Sequence, residues 1–147
     1  MPVRMQGSYA HKLDGKGRLI LPARFREKLG QTVAISFCIH IKSRAIDPCV
    51  AVYPMEEWEA LQMKLDELPQ DDNDMRYLVN LLRGNAKDDE KVDGAGRILI
   101  PQALRNRVGV ATDVIVSGNG DHIEIWDSGK WTEFNDRLLS KYMVEKW

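Results

Sequence analysis

The residue pattern with the most chemical content is Asp14-Gly15-Lys16-Gly17-Arg18, and it returns as Asp93-Gly94-Ala95-Gly96-Arg97. An aspartate four residues before an arginine, bracketing Gly-x-Gly, admits several kinds of chemistry. A carboxylate can act as a general acid or base, but only with a second titrating group in matched geometry, and none recurs beside either motif. Gly-x-Gly can expose backbone amides to an anion, with Lys16 and Arg18 adding positive charge, which suits phosphate. Arginine can also read a guanine edge with two parallel hydrogen bonds, which lysine does less well. Beside these stands a local role, in which the aspartate caps the turn and pairs with the guanidinium. The copies differ where an anion would sit: Lys16 becomes Ala95, Arg24 becomes Ala103, and Ala23 becomes Gln102. The first copy suits nucleic acid, and the second reads as more structural.

Other chemistry is poorly represented. There is no nucleophile elbow, Walker A loop or H-E-x-x-H stretch. Gly94-Ala95-Gly96 lacks the third glycine of a dinucleotide fingerprint and precedes a strand pattern rather than a helix. Asp71-Asp72-Asn73-Asp74 lacks the glycine and terminal glutamate of a calcium loop. Cys38 and Cys49 form no C-x-x-C pair, so no zinc site is expected, and they read as reduced, half-buried small residues. His11, His40 and His122 lie on separate segments without ligand spacing. The expectation is no catalytic residue, no cofactor, no metal and no small-molecule substrate.

The elements that position these residues form an internal repeat. Residues 12–30 match residues 91–109 at an offset of 79, with eight of 19 positions identical and most others exchanging one aliphatic for another. Val52-Tyr53 with Trp58 answers Ile125-Trp126 with Trp131 at an offset of 73, so the first copy carries six extra residues between Gly30 and Val52. Each copy predicts a short strand (9–13; 89–92), an Asp-Gly hairpin turn, a second strand (18–21; 97–100) and a short helix. Pro22 and Pro101 would open that helix at its first position, and Gly30 and Gly109 would close it. Phe25/Leu29 and Leu104/Val108 would seat it on the core.

A longer hairpin follows. Val33, Ile35, Phe37, Ile39 and Ile41 fall on alternate positions, which predicts a strand over 32–41 with one buried face, paired with 49–53. In the second copy the strands are 112–117 and 122–126, with the turn at Gly118-Asn119-Gly120-Asp121. Amphipathic helices are expected over 55–68 (Trp58, Leu61, Leu65, Leu68) and 128–145 (Trp131, Phe134, Leu138, Tyr142). Residues 74–83 read as a further helix, and Pro69 to Asn73 as a polar, acidic linker.

The chain has 147 residues, enough for one core without disulfides or metals, and 44% hydrophobic against 29% charged residues is ordinary for a globular protein. No apolar stretch is long enough for a membrane span, and the start from Met1 to Gly7 has no apolar run of signal-peptide length, so the expected location is the cytoplasm. A net charge of −1 speaks against nucleic acid when taken whole. Residues 1–44 nevertheless hold nine bases and two acids (net +7), and residues 45–74 one base and nine acids (net −8). The basic end points to a polyanion.

These doubled motifs resemble the MraZ family, whose members are built from two AbrB/SpoVT-like swapped-hairpin units. The resemblance rests on Leu13 to Arg18, Pro22 to Arg26, Val52-Tyr53-Pro54 with Trp58, Leu82 to Ala86, Asp93 to Pro101 with Leu104-Arg105, and Ile125-Trp126 with Trp131. It implies an α+β fold, a tandem pair of AbrB-like β-hairpin/barrel units packed as a pseudo-two-fold with flanking amphipathic helices. The units are placed at 8–56 and 85–128, with a helical linker at 57–84 and a C-terminal helix at 129–147. It further implies a cytoplasmic, nucleoid-associated transcriptional regulator, mostly a repressor. Such a protein forms a homo-oligomeric ring on repeated boxes of double-stranded DNA upstream of its own division and cell-wall operon. By this resemblance the DNA-contacting segment maps onto Lys16, Gly17 and Arg18, to which the basic Arg24 and Arg26 are added. The repeated motif residues are Asp14/Arg18 and Asp93/Arg97. Two departures from the family pattern are Arg4-Met5-Gln6-Gly7, where members usually begin Met-Phe-x-Gly, and the long hairpin 36–49. Competing expectations are an antitoxin-like module, which would carry an extended tail where 131–142 reads as a helix, and a small enzyme using Asp14 or Asp93.

Overall fold

The computed structural model describes residues 4–69 and 71–144. The start at Met1-Pro2-Val3, Gln70 of the acidic linker and the part of the expected C-terminal helix that falls on 145–147 lie outside the described residues.

The first repeat contributes β1 (Ser8–Lys12), β2 (Arg18–Ile20), α1 (Ala23–Leu29), β3 (Thr32–His40), β4 (Ala45–Pro54) and α2 (Met55–Asp66). After α3 (Asn73–Gly84), the second contributes β5 (Lys87–Lys91), β6 (Arg97–Leu99), α4 (Gln102–Val108), β7 (Asp113–Gly118), β8 (Ile123–Asp127) and α5 (Ser128–Tyr142). This is an α+β fold of two tandem, intertwined units. Six antiparallel strands form one sheet in the order β1-β7-β8-β4-β3-β5, and β2 and β6 form a separate two-stranded ribbon.

The strand order corrects one expectation. The strands flanking each Asp-Gly turn do not pair with each other. β1 pairs with β7, β5 with β3, and β2 with β6, so every short strand finds its partner in the other repeat. The turn itself forms as its residues dictate, with Gly17 N–H on the Asp14 carbonyl (3.0 Å) and Gly96 N–H on the Asp93 carbonyl (2.9 Å). A five-residue strand beside a three-residue one cannot bury enough apolar surface alone, and pairing across repeats supplies it. The core shows the same exchange. Leu19, Leu21, Phe25 and Leu29 and their counterparts Ile98, Ile100, Leu104 and Val108 are all buried, joining equivalent residues of both repeats in one cluster.

Pro22 and Pro101 stand one residue earlier than expected, at the N-cap with extended backbone (φ −52°, ψ 133° and φ −54°, ψ 134°). Their fixed φ suits that position as well as the first helical one, and neither needs an amide proton there. The alternation in β3 also misleads: Val33 through Cys38 are buried on both faces, because α2 and α3 pack against this strand. Cys38 and Cys49 are therefore fully buried rather than half-buried. The acidic run before α3 has two local duties. Asp72 caps the helix by accepting from Met75 N–H (3.1 Å), and it pairs with Arg44. At the far end, α5 buries nothing completely: Leu139 and Tyr142 are 51% and 70% exposed, so the expected apolar face extends past the core. Among the described residues no helix is long and apolar enough to cross a membrane.

Candidate nucleic-acid interface

The two Asp-x-x-x-Arg turns stand at opposite ends of the β2/β6 ribbon, since Arg18 pairs with Leu99 and Ile20 with Arg97. Each turn is bonded to the other repeat: Ile100 N–H donates to the Gly17 carbonyl (3.0 Å), and Leu21 N–H to the Gly96 carbonyl (2.9 Å).

Within the first turn, one oxygen of Asp14 accepts from the backbone N–H of Lys16 and of Arg18, both at 2.9 Å, and the other accepts from Arg18 Nε at 2.7 Å. Asp93 repeats the arrangement with Ala95 N–H (3.0 Å), Arg97 N–H (2.8 Å) and Arg97 Nε (2.8 Å). The local capping role therefore holds for both aspartates. It also corrects the expected amide nest. The N–H groups of Lys16, Gly17 and Arg18 all turn inward onto Asp14, so they are spent before any anion arrives. What the tip offers outward is side-chain charge. Lys16 is exposed, and the Nη nitrogens of Arg18 carry no hydrogen bond among the described residues.

The same bonds settle the ionisation. The Arg18 amide, opposed by partial burial and reinforced by the Arg18 guanidinium and the Lys16 amide, holds the Asp14 carboxyl down at about 2. The Arg97 amide and guanidinium lower Asp93 in the same sense. Held ionised in this way, both aspartates have no proton to donate near neutral pH and are poorer proton acceptors than ordinary carboxylates, which disfavours the general acid–base reading. Because the folded-state carboxyl is depressed from 3.8 to about 2, the folded chain binds fewer protons than the unfolded chain in that window. The turn's contribution is thus complete above about pH 4 and is lost as pH falls toward 2. Denaturant melts of wild type and Asp14→Asn should differ most above pH 4 and converge below. A difference that grows on acidification would contradict this assignment.

Gly17 and Gly96 are favoured by the backbone, and a side chain at either would also have to displace an arginine guanidinium. Their φ values are +83° and +80°, a region L-residues rarely enter. A Cβ on Gly17 would stand 2.4 Å from Arg105 Cζ, and one on Gly96 2.1 Å from Arg26 Cζ. Arg105 therefore lies across the first turn and Arg26 across the second. Arg105 is further anchored by Nε to the Ile100 carbonyl (3.0 Å), whereas Arg26 Nε is buried with no hydrogen-bond partner among the described residues.

The five residues expected at the DNA surface thus divide. Lys16, Gly17 and Arg18 share one tip, with Gly17 buried beneath Arg105. Arg24 is exposed on α1 and reaches the Tyr9 hydroxyl (3.3 Å), whose ring meets Phe25 edge-on. Arg26 belongs to the opposite turn. Sequence reasoning missed Arg105 at the first tip, although its identity with Arg26 across the repeat was the available signal. Charge also separates the tips. Residues 8–30 hold six bases and two acids, whereas residues 87–109 hold five and four, with Asp88, Asp89 and Glu90 along β5. Of the remaining bases counted at the N-terminal end, Arg44 pairs with Asp72 and Asp74, and Lys12 with Asp113.

Comparison with known proteins agrees with this architecture. The family model described as "MraZ protein, putative antitoxin-like" matches residues 5–81 and again 86–145. A protein of Acetivibrio thermocellus named transcriptional regulator MraZ is 40% identical over 142 residues, covering 95% of this chain and 94% of its own. Proteins of the same name from Syntrophomonas wolfei (36% over 136 residues; 92% and 90% covered) and Alkaliphilus metalliredigens (41% over 130; 88% and 85%) agree. With both halves matched in tandem and the intertwined repeats in place, the chain belongs to the MraZ family.

Proposed function

We propose that this protein is a sequence-specific, DNA-binding transcriptional regulator that meets double-stranded DNA with the first-repeat turn. The asymmetry of the two tips carries the proposal: one fold is built twice, and only the first copy presents Lys16, Arg18 and Arg24 outward in basic surroundings. Arg18 is pre-aimed, because its Nε is held by Asp14 and its outer nitrogens are left for a base edge or phosphate. Lys16 and Arg24 add phosphate contacts, and Arg26 acts indirectly through the second turn. The relatives' name supports the regulatory role.

In this reading residues 8–56 and 85–128 are the two units, 57–84 the connector and 129–147 the C-terminal helix. One small tip per chain binds weakly, so a ring of identical chains on regularly repeated boxes gains affinity from effective concentration. The exposed Leu138, Leu139 and Tyr142 of α5 favour self-association. The site of action is the cytoplasmic nucleoid, and the target is the DNA upstream of the protein's own gene in a division and cell-wall operon, with repression as the outcome.

A gel-shift titration on that upstream DNA tests the proposal. Affinity should fall with salt by a log–log slope of about 0.9 per neutralised phosphate, through counterion release. Lys16→Ala should weaken all sequences alike and make the slope shallower by about one for each phosphate it no longer neutralises. A salt-independent affinity would point to another ligand.

A further inference from the structure

The β3–β4 hairpin carries a bulge. Phe37 pairs with Val50 but Cys38 with Asp47, leaving Pro48 and Cys49 as extra residues on β4. β8 lies on the other side of β4, and its start brings His122 and Glu124 to the same place. Cys38 Sγ stands 3.3 Å from Glu124 Oε2, and His122 Nε2 stands 3.0 Å from that same oxygen. The three ligand atoms all lie within 4.8 Å of one another. The surroundings are dry: Cys38 and Cys49 are 2% and 0% exposed, and the His122 and Glu124 side chains 14% and 12%.

We propose that Cys38, His122 and Glu124 bind one zinc-class divalent cation that ties the two repeats together. A thiolate, an imidazole and a carboxylate suit a tetrahedral ion of intermediate softness. The outer supports are already in place. Asp121 Oδ1 holds His122 Nδ1 at 2.7 Å, fixing the ring so that Nε2 faces the cluster. Trp126 Nε1 donates to Glu124 Oε1 at 2.9 Å and leaves Oε2 for the ion. Tyr53 stacks on the imidazole with ring centroids 4.8 Å apart. Binding sends the displaced thiol and imidazole protons to solvent. A second set, Cys38 with His40 and Asp47, shares the same sulfur, but the His40 side chain is 49% exposed and already paired with Asp47.

The test uses the full-length chain, reduced and stripped with a chelator, then titrated with Co2+ alone and chased with Zn2+. One equivalent should develop thiolate-to-cobalt charge-transfer and tetrahedral d–d absorption, and zinc should bleach both and raise the melting temperature. Cys38→Ser and His122→Gln should abolish the spectrum, and Asp121→Asn should weaken binding about 10–100-fold. His40→Ala should leave it unchanged. Far-UV circular dichroism checks that each variant folds, and the wild-type stoichiometry stands without any variant. No thiolate–cobalt band from the reduced, folded wild type would overturn the site. So would a band that survives His122→Gln but is lost in His40→Ala. DNA binding is not read out, so this result is independent of the proposed function.

Discussion

Arg18→Ala should reduce binding to a single operator box by roughly 5- to 150-fold, the equivalent of about 1–3 kcal/mol for removing a bidentate pair to a base. Where several subunits engage adjacent boxes the losses compound, so specific binding should fall to the level of unrelated DNA. The fold should survive. Arg18 is half-exposed at the ribbon's end, and after truncation Asp14 still accepts the amides of Lys16 and residue 18. Arg97→Ala removes the equivalent ion pair from the second turn, where Ala95 replaces Lys16 and three acids line β5, and should leave the gel shift unchanged. Arg18→Lys separates charge from geometry: it keeps a cation but loses the planar fork, and should restore salt-dependent affinity without restoring preference for the operator. Equal operator binding by wild type and Arg18→Ala would sink the assignment of this tip to DNA. Loss of operator binding in Arg97→Ala at full stability would move it to the other tip.

The contrast between the turns explains what the sequence disclosed and what it withheld. The Asp-x-x-x-Arg turn was legible because its bonds are local: two amides and one guanidinium within four residues of the carboxylate satisfy both oxygens. The buried pairs Phe25/Leu29 and Leu104/Val108 were legible for the same reason, being neighbours on one helix face. Partner choice in short strands was not. Nothing in Arg18-Leu19-Ile20 marks it for pairing with 97–99 rather than with the strand just before it, because that choice depends on area buried at long range. The MraZ resemblance implies a swapped hairpin but does not fix its register. The Cys38–His122–Glu124 cluster was equally hidden, since its sulfur and carboxylate are 86 residues apart and meet only through the β4–β8 pairing. The amide nest failed for a simpler reason: the side chain that makes the turn consumes the donors that the glycines had seemed to free.

Crossed pairing has a thermodynamic consequence that ordinary tandem repeats lack. Leu19 and Ile98 face each other across the β2/β6 ribbon and are 0% and 1% exposed. Truncating either to alanine should cost about 2–5 kcal/mol, a large part of the stability of a domain this size. In a repeat array with independent units, such damage would unfold one unit first. Here β1 needs β7, β5 needs β3 and β2 needs β6, so when one repeat opens the other keeps only its own long hairpin, β3–β4 or β7–β8, and loses the partners of its short strands. Ile98→Ala, a change in the second repeat, should therefore lower the stability of the first by the same amount. Trp58, at the start of α2, and Trp126, on β8, are buried reporters on the two halves. Tryptophan fluorescence of the single-tryptophan variants and far-UV circular dichroism should follow one coincident denaturant transition in wild type, and one coincident but earlier transition in Ile98→Ala. Two separated transitions, with the Trp58 reporter unmoved by Ile98→Ala, would show that the repeats fold independently and that the ribbon is not their shared core.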